Sequence, residues 1–360
     1  MKLTLKEKIA GMLLVGIPNK DSIDGVINLI ENYSIGGVLL YKNNYNNLLE
    51  LEELITRLKN VNRKNKLPLM IAIDQEGGRV NRLPCEFINS HSIYRMAKNS
   101  LDDIKIFSHS SSNLLFNLGI NLNLAPVLDL KMHNDSHAIG DRAISSNVNK
   151  IIDVSKIIVD EFKNNNVVSV IKHFPGQGSV KADSHFFLPI IKDYNKVLEK
   201  DIKPFEYMIN NGCDALMIGH ILIKGKTGIY PATLSKRFIK EELRDRLNYD
   251  NIIITDEMGM RSVSYLYGKK QSIIKAYKAG NDIICCKYSK NFIKDIINKV
   301  SRRVENNIID IKEIDKSINR IIKLKEKYNF HDNTYFDSIN IEDYNNTIND
   351  LKNKCKASNL

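Results

Sequence analysis

Eight short apolar runs, each followed by a stretch with helical periodicity, constrain this 360-residue chain more than any other feature. The runs lie at 12–17, 36–41, 69–74, 121–126, 167–173, 215–220, 251–256 and 282–286. Between them fall amphipathic segments such as 47–61, 152–165 and 238–247. Strands that are apolar on both faces and separated by helices build a parallel sheet buried under those helices. Eight such units predict an α/β fold of the (β/α)8 TIM-barrel type, with a doubly wound open sheet as the alternative. Polar residues recur where the runs end: Asp74, Asp129, Lys172, His173, His220 and Asp256. A barrel gathers all its strand ends at one rim, whereas an open sheet gathers few. The chain therefore reads as a single catalytic barrel over 1–328, closing with a helical extension. An Asn-rich tail follows over 329–360, expected to pack on the surface without function.

Composition narrows the partners. Hydrophobic residues make up 43% of the chain, enough for a packed core, and no apolar run reaches the roughly 18–20 residues of a membrane span. At the N-terminus, "KEKIAGMLLVGI" places Glu7 and Lys8 against a very short apolar run with no small-residue cleavage site. That pattern predicts a short helix feeding the first strand, not a signal peptide. The net charge is +11, but acidic residues are interspersed and no Arg-rich arm is present, so no nucleic-acid partner is expected. Five cysteines without C-x-x-C spacing predict neither a disulfide framework nor a structural zinc site. The expectation is a reducing, cytoplasmic setting and a monomer.

Three stretches carry chemistry. "IAIDQEGGRVNRL" ends a strand at Asp74, turns on Gly77 and Gly78, and supplies Arg79 and Arg82. A carboxylate and guanidinium groups there can bind sugar hydroxyls, or can form an ion pair that only fixes the loop. Arg142 in "IGDRAI" reads equally as a ligand donor or a solvated surface arginine. In "NIIITDEMGM", Asp256 ends a strand beside Glu257. A carboxylate held there suits nucleophilic attack, or it caps the next helix. Adjacent strand residues point opposite ways, so Asp256 and Glu257 are not both expected in the site.

The third stretch is "KHFPGQGSVKADSH", from Lys172 to His185. Lys172 and His173 complete a strand and suit gripping a ligand. Asp183 and His185, two apart on a glycine-rich loop, can pair through one imidazole nitrogen and leave the other for proton transfer. The bland reading is a capping Asp with a surface His, and a buried structural His173. The spacing fits neither a P-loop nor a dinucleotide fingerprint.

Together with "NLNLAPVLDL", "MIGHI" and "PATLSKRFIKEELRDRL", these stretches resemble glycoside hydrolase family 3, in its single-domain β-N-acetylglucosaminidase branch. The resemblance spans roughly residues 5–325. It implies a retaining exo-hydrolase that removes terminal β-linked N-acetylglucosamine, in many members from cell-wall muropeptides, without metal or cofactor. By position, Asp256 matches the nucleophile and His185 the acid/base, paired with Asp183. Asp74, Arg82, Arg142, Lys172 and His173 match the sugar-binding residues.

Three departures accompany the match. Gln177 stands where many relatives carry a second His, Glu257 replaces the commoner Asp after the nucleophile, and "GDRAISSN" fits the usual Arg-Ser-Phe pattern loosely. Other functions compatible with these residues are a β-N-acetylglucosaminide phosphorylase and a non-catalytic sugar-binding barrel. A metal-dependent barrel using His173, Asp183, His185 and Asp74 is a further alternative.

Overall fold

The computed structural model describes residues 2–132, 139–178, 180, 188–334, 336 and 339–357. Its centre is an eight-stranded, all-parallel sheet. We number these strands β1 (Leu13–Gly16), β2 (Gly37–Leu40), β3 (Met70–Ile73), β4 (Leu122–Asn123), β5 (Val168–Phe174), β6 (Ala215–Ile218), β7 (Ile252–Thr255) and β8 (Ile284–Lys287). Seven neighbouring pairs are laddered, including β1 with β8. The eighth seam closes through a parallel bridge between Ile254 and Ile283, with Thr255 N donating to Ile283 O at 3.0 Å. The sheet is a (β/α)8 barrel, as expected, and the open-sheet alternative falls.

All eight strands lie in or overlap the predicted runs. β4 is the shortest because Pro126 offers no amide to a ladder. Asparagine side chains replace the missing bonds: Asn121 Oδ1 accepts from Ile71 N at 2.8 Å, and Asn123 Oδ1 from Gln75 N at 3.0 Å. Two further short strands, Ile190–Ile191 and Leu222–Ile223, pair outside the barrel and were not anticipated.

The helices form where caps and amphipathic stripes coincide. Thr4 and Glu7 make a capping box that starts Leu5–Gly11, the short helix predicted ahead of β1. Asn47 and Asn147 cap Leu48–Asn62 and Val148–Asn164, whose apolar stripes turn onto the sheet. Among the described residues no helix is long and apolar enough to cross a membrane. Within 329–360, helix Ile341–Ala357 buries Tyr344, Ile348, Leu351 and Cys355. It packs on helix Leu101–Asn117, and Tyr344 meets Phe87 edge-on at 5.5 Å.

A buried carboxylate braces the last seam. Asp282, fully buried, accepts Ile253 N at 2.8 Å and Arg244 Nη2 at 2.7 Å through Oδ2, and Ser317 Oγ and Arg320 Nη1 through Oδ1. It thus ties β7 to the helices that follow β6 and β8. Removing it leaves the mostly buried Arg244 guanidinium without a carboxylate and Arg320 with only the exposed Asp250. Asp282→Ala should destabilise the fold by about 3–5 kcal/mol, read as a lowered urea midpoint. A loss under about 1 kcal/mol, the value of an exposed pair, would show that the seam closes without it.

Candidate active site

The C-terminal ends of the strands surround a cleft of about 570 Å³. Asp74, Arg82, Arg142, Lys172, His173 and Asp256 all line it, so six of the eight residues picked from sequence meet in one place. The other two, Asp183 and His185, lie outside the described residues.

Two turns deliver the arginines. After β3 the chain reverses through Gly77 (φ +83°) and Gly78 (φ +57°), a left-handed pair that side chains resist. A Cβ on Gly77 would also stand 2.3 Å from Ser90 Oγ. Past this turn, Arg82 is pinned by its backbone: its amide donates to Gln75 Oε1 at 2.8 Å and its carbonyl accepts from Tyr45 Oη at 2.6 Å. Arg82 Nε is buried with no hydrogen-bond partner among the described residues. Arg79 crosses to the Gly140–Arg142 turn, bonding Asp141 Oδ1 and the Ile139 carbonyl, each at 3.0 Å. That clamp swings Arg142 inward. Its side chain is only 13% exposed, which rules out the solvated surface arginine.

The centre of the network is Glu76. Arg142 grips it with two bonds of 2.8 Å, and Lys172 Nζ lies 2.6 Å away while also reaching Asp74 Oδ1 at 2.8 Å. Burial alone would raise the Glu76 carboxyl, but the charges and bonds of Lys172 and Arg142 overcome this and hold it well below the usual range. Burial likewise opposes the charges on Lys172 and Arg142, and the Asp74 and Glu76 carboxylates raise both above their ordinary values. Asp74 therefore pairs with Lys172, not with the arginines of its own loop.

Lys172 and His173 both face the cleft although they are adjacent on β5. The β5–β6 register shifts between Ile171 and Phe174, the kind of irregularity that re-aims side chains. His173 Nδ1 lies 2.7 Å from Oδ2 of the fully buried Asp129, whose Oδ1 accepts Gln177 N at 2.7 Å. His173 is thus a hydrogen-bonded histidine with one ring edge on the cleft. Asp256 follows β7 and donates its amide to Ile218 O at 3.1 Å. Its Oδ1 accepts Glu257 N at 2.8 Å, which sets the rotation of the carboxylate. Glu257 borders the cleft too, against the alternation expected of a strand. Strand geometry ends at Thr255, and the Glu257 carboxylate is taken up by Gly259 N at 2.8 Å and Lys287 N at 3.2 Å.

Residues 4–324 match the family described as glycosyl hydrolase family 3 N terminal domain. The chain belongs to glycoside hydrolase family 3. It is a glycosidase. Curated relatives include a beta-hexosaminidase of Actinobacillus pleuropneumoniae serotype 5b, 30% identical over 281 residues covering 76% of this chain and 80% of that one. Another beta-hexosaminidase, from Haemophilus influenzae, is 31% identical over 279 residues, covering 76% and 78%. Among solved structures, a glycoside hydrolase family 3 beta-N-acetylglucosaminidase from Paenibacillus sp. str. FPU-7 superimposes with a TM-score of 0.90 at 27% identity. The overlap spans 97% of this chain and 68% of that one.

For this family 3 glycosidase, sequence reasoning missed one residue that organises the cleft, Glu76, and left another, Asp129, without a role. Glu76 lies inside the "DQEGGRV" stretch, but a lone Glu beside two glycines has no periodic signature. Asp129 was visible as a polar strand end, while its bond to His173 depends on two strands meeting. The lining residues Tyr41, Met217 and Met260 were also unassigned. Burial pushes the Tyr41 phenol far up, so that group stays protonated and presents a hydroxyl. Among the described residues no group of three or more His, Cys, Asp or Glu is placed to hold a metal ion.

Glu76 gives this site a pH signature. Its folded pKa lies below its unfolded one, so its stability contribution is complete above the ordinary glutamate value of about 4.3 and is lost as pH falls from there toward the folded value. Glu76→Gln should cost roughly 1.5–3 kcal/mol at neutral pH. The gap to the wild type should narrow below about pH 4. Urea unfolding across that range checks it, and a pH-independent gap would contradict the charge pairing.

Proposed function

We propose that this chain is a retaining exo-β-N-acetylglucosaminidase that releases terminal β-linked N-acetylglucosamine from peptidoglycan fragments. The observation that carries the reading is Asp256 at the end of β7, rotationally set by the Glu257 amide, across one cleft from Arg82, Arg142, Lys172 and His173. A cleft of about 570 Å³ that gathers convergent polar groups together with Tyr41, Met217 and Met260 suits a sugar. The beta-hexosaminidase relatives and the beta-N-acetylglucosaminidase neighbour support the choice of N-acetylated sugar.

In this mechanism Asp256 attacks the anomeric carbon and the bond to the leaving oxygen breaks. His185, oriented by Asp183, gives that oxygen a proton. The imidazole then takes a proton from water as the water attacks the glycosyl–aspartate, and the carboxylate departs with inversion a second time. Most retaining glycosidases use two carboxylates about 5–5.5 Å apart. A neutral imidazole in the second role adds no negative charge opposite Asp256. Arg82, Arg142, Lys172 and His173 supply donors for the sugar hydroxyls and the acetamido oxygen, with Asp74 accepting. The enzyme works as a cytoplasmic monomer, with neither nucleic acid nor membrane as partner.

Hydrolysis of an aryl β-N-acetylglucosaminide against an aryl β-glucoside, each with and without phosphate, tests the reaction. Preference for the N-acetylated substrate with no phosphate dependence is expected; phosphate-dependent release of a sugar phosphate would make it a phosphorylase. Asp256→Asn should abolish turnover with folding intact, and near-normal rates would refute the nucleophile. His185→Ala should lose roughly 10²–10⁴ in rate on poor leaving groups and much less on nitrophenyl ones. Equal losses on both would remove His185 from the acid role.

A further inference from the structure

His220, two residues beyond β6, is fully buried and is not among the residues lining the cleft, yet both of its ring nitrogens are engaged. Nε2 lies 3.0 Å from the Glu257 carbonyl oxygen, and Nδ1 lies 2.7 Å from Thr233 Oγ1. A carbonyl oxygen only accepts, so Nε2 carries a proton. Burial lowers the imidazole pKa against the opposing pull of the Asp256 charge, which leaves Nδ1 unprotonated. The Thr233 hydroxyl then donates to Nδ1. That hydroxyl also lies 2.9 Å from Gly219 O, so its single proton is shared between two acceptors. Thr233 is itself fully buried, and its carbonyl accepts Asn281 Nδ2 at 2.9 Å, so the ring has a rigid backing.

The ring reaches the residue that sets the nucleophile. Glu257 faces Asp256 through its amide, which donates to Asp256 Oδ1 at 2.8 Å. Its carbonyl accepts from Met260 N at 3.1 Å and from His220. The surrounding backbone is held by strands, Asp256 N on Ile218 O at 3.1 Å and Met258 N on Cys285 O at 2.9 Å. A side chain from the neighbouring strand end thus braces the residue from below.

We infer that His220 is a positioning residue for the Asp256 carboxylate, acting as an Nε2–H donor that locks Glu257 in the orientation from which its amide aims the nucleophile. The inference rests on the reading of Asp256 as nucleophile. Misplacing a reacting group by about 1 Å can cost on the order of 10²-fold in rate, so the brace matters for the chemical step more than for holding the sugar.

The test compares His220→Ala and His220→Gln in the full-length protein. Turnover is read on an aryl β-N-acetylglucosaminide and affinity by calorimetry with N-acetylglucosamine. His220→Ala should lose roughly 10²-fold in kcat, with N-acetylglucosamine affinity unchanged. His220→Gln, whose amide can donate to the same carbonyl, should recover most of that loss. Unchanged kcat in His220→Ala, equal loss in both variants, or kcat and affinity falling by the same factor overturns the inference. Should His220→Ala fail to fold, the imidazole nitrogen spectrum of the wild type decides: an Nε2–H tautomer supports the role, and an Nδ1–H tautomer overturns it. A wild type without turnover, or an active Asp256→Asn, would instead sink the functional reading itself, so the two failures stay distinguishable.

Discussion

Glu76 sits between Arg142 and Lys172, mostly out of water, and the mouth of the barrel is organised around that contact. Three segments meet there: the loop after β3, the turn at Gly140–Arg142 and the end of β5. Each charged group would be costly to bury alone, and each becomes tolerable because the others are present. The pairing fixes where Arg142 and Lys172 can point, and so defines the polar side of the cleft. The glycine turn at 77–78 and the side-chain clamp between Arg79 and Asp141 accompany the close approach of the three segments.

At Asp256, position is set by backbone instead of charge. Asp256 and Met258 hang from the neighbouring strands by amide bonds, and the Glu257 amide between them aims the carboxylate. The cleft thus joins a wall of pre-paired donors to a carboxylate held by the sheet. Preorganisation of this kind costs stability elsewhere and saves reorganisation when a substrate binds. On the function proposed above, those donors hold the sugar and the direction of the aspartate is settled before it arrives.

Much of the architecture was legible from one-dimensional pattern. Eight apolar runs with helical spacers specify a parallel barrel because both faces of each strand must be covered, and each run became a strand. The rim also followed, since residues that end parallel strands converge on one face. Asp74, Lys172, His173 and Asp256 could therefore be assigned to one site before any contact was known. Arg82 and Arg142 stayed open between ligand donor and bland role until the motif resemblance matched them to sugar binding. Where pattern failed, the cause was local: Pro126 shortened β4, and the end of β7 let Glu257 border the cleft beside Asp256.

The sequence by itself determined the order of elements, the closed parallel sheet and the set of residues carried to its rim. Periodicity and strand polarity are properties of the chain read in order. Only the tertiary structure decided the pairings: that Asp74 bonds Lys172 and not its own loop's arginines, that Asp129 stands behind His173, and that His220 braces Glu257. Such partners lie tens of residues apart, and their identity depends on which side chains meet at a given depth when strands close into a barrel. No local pattern encodes that depth; packing does.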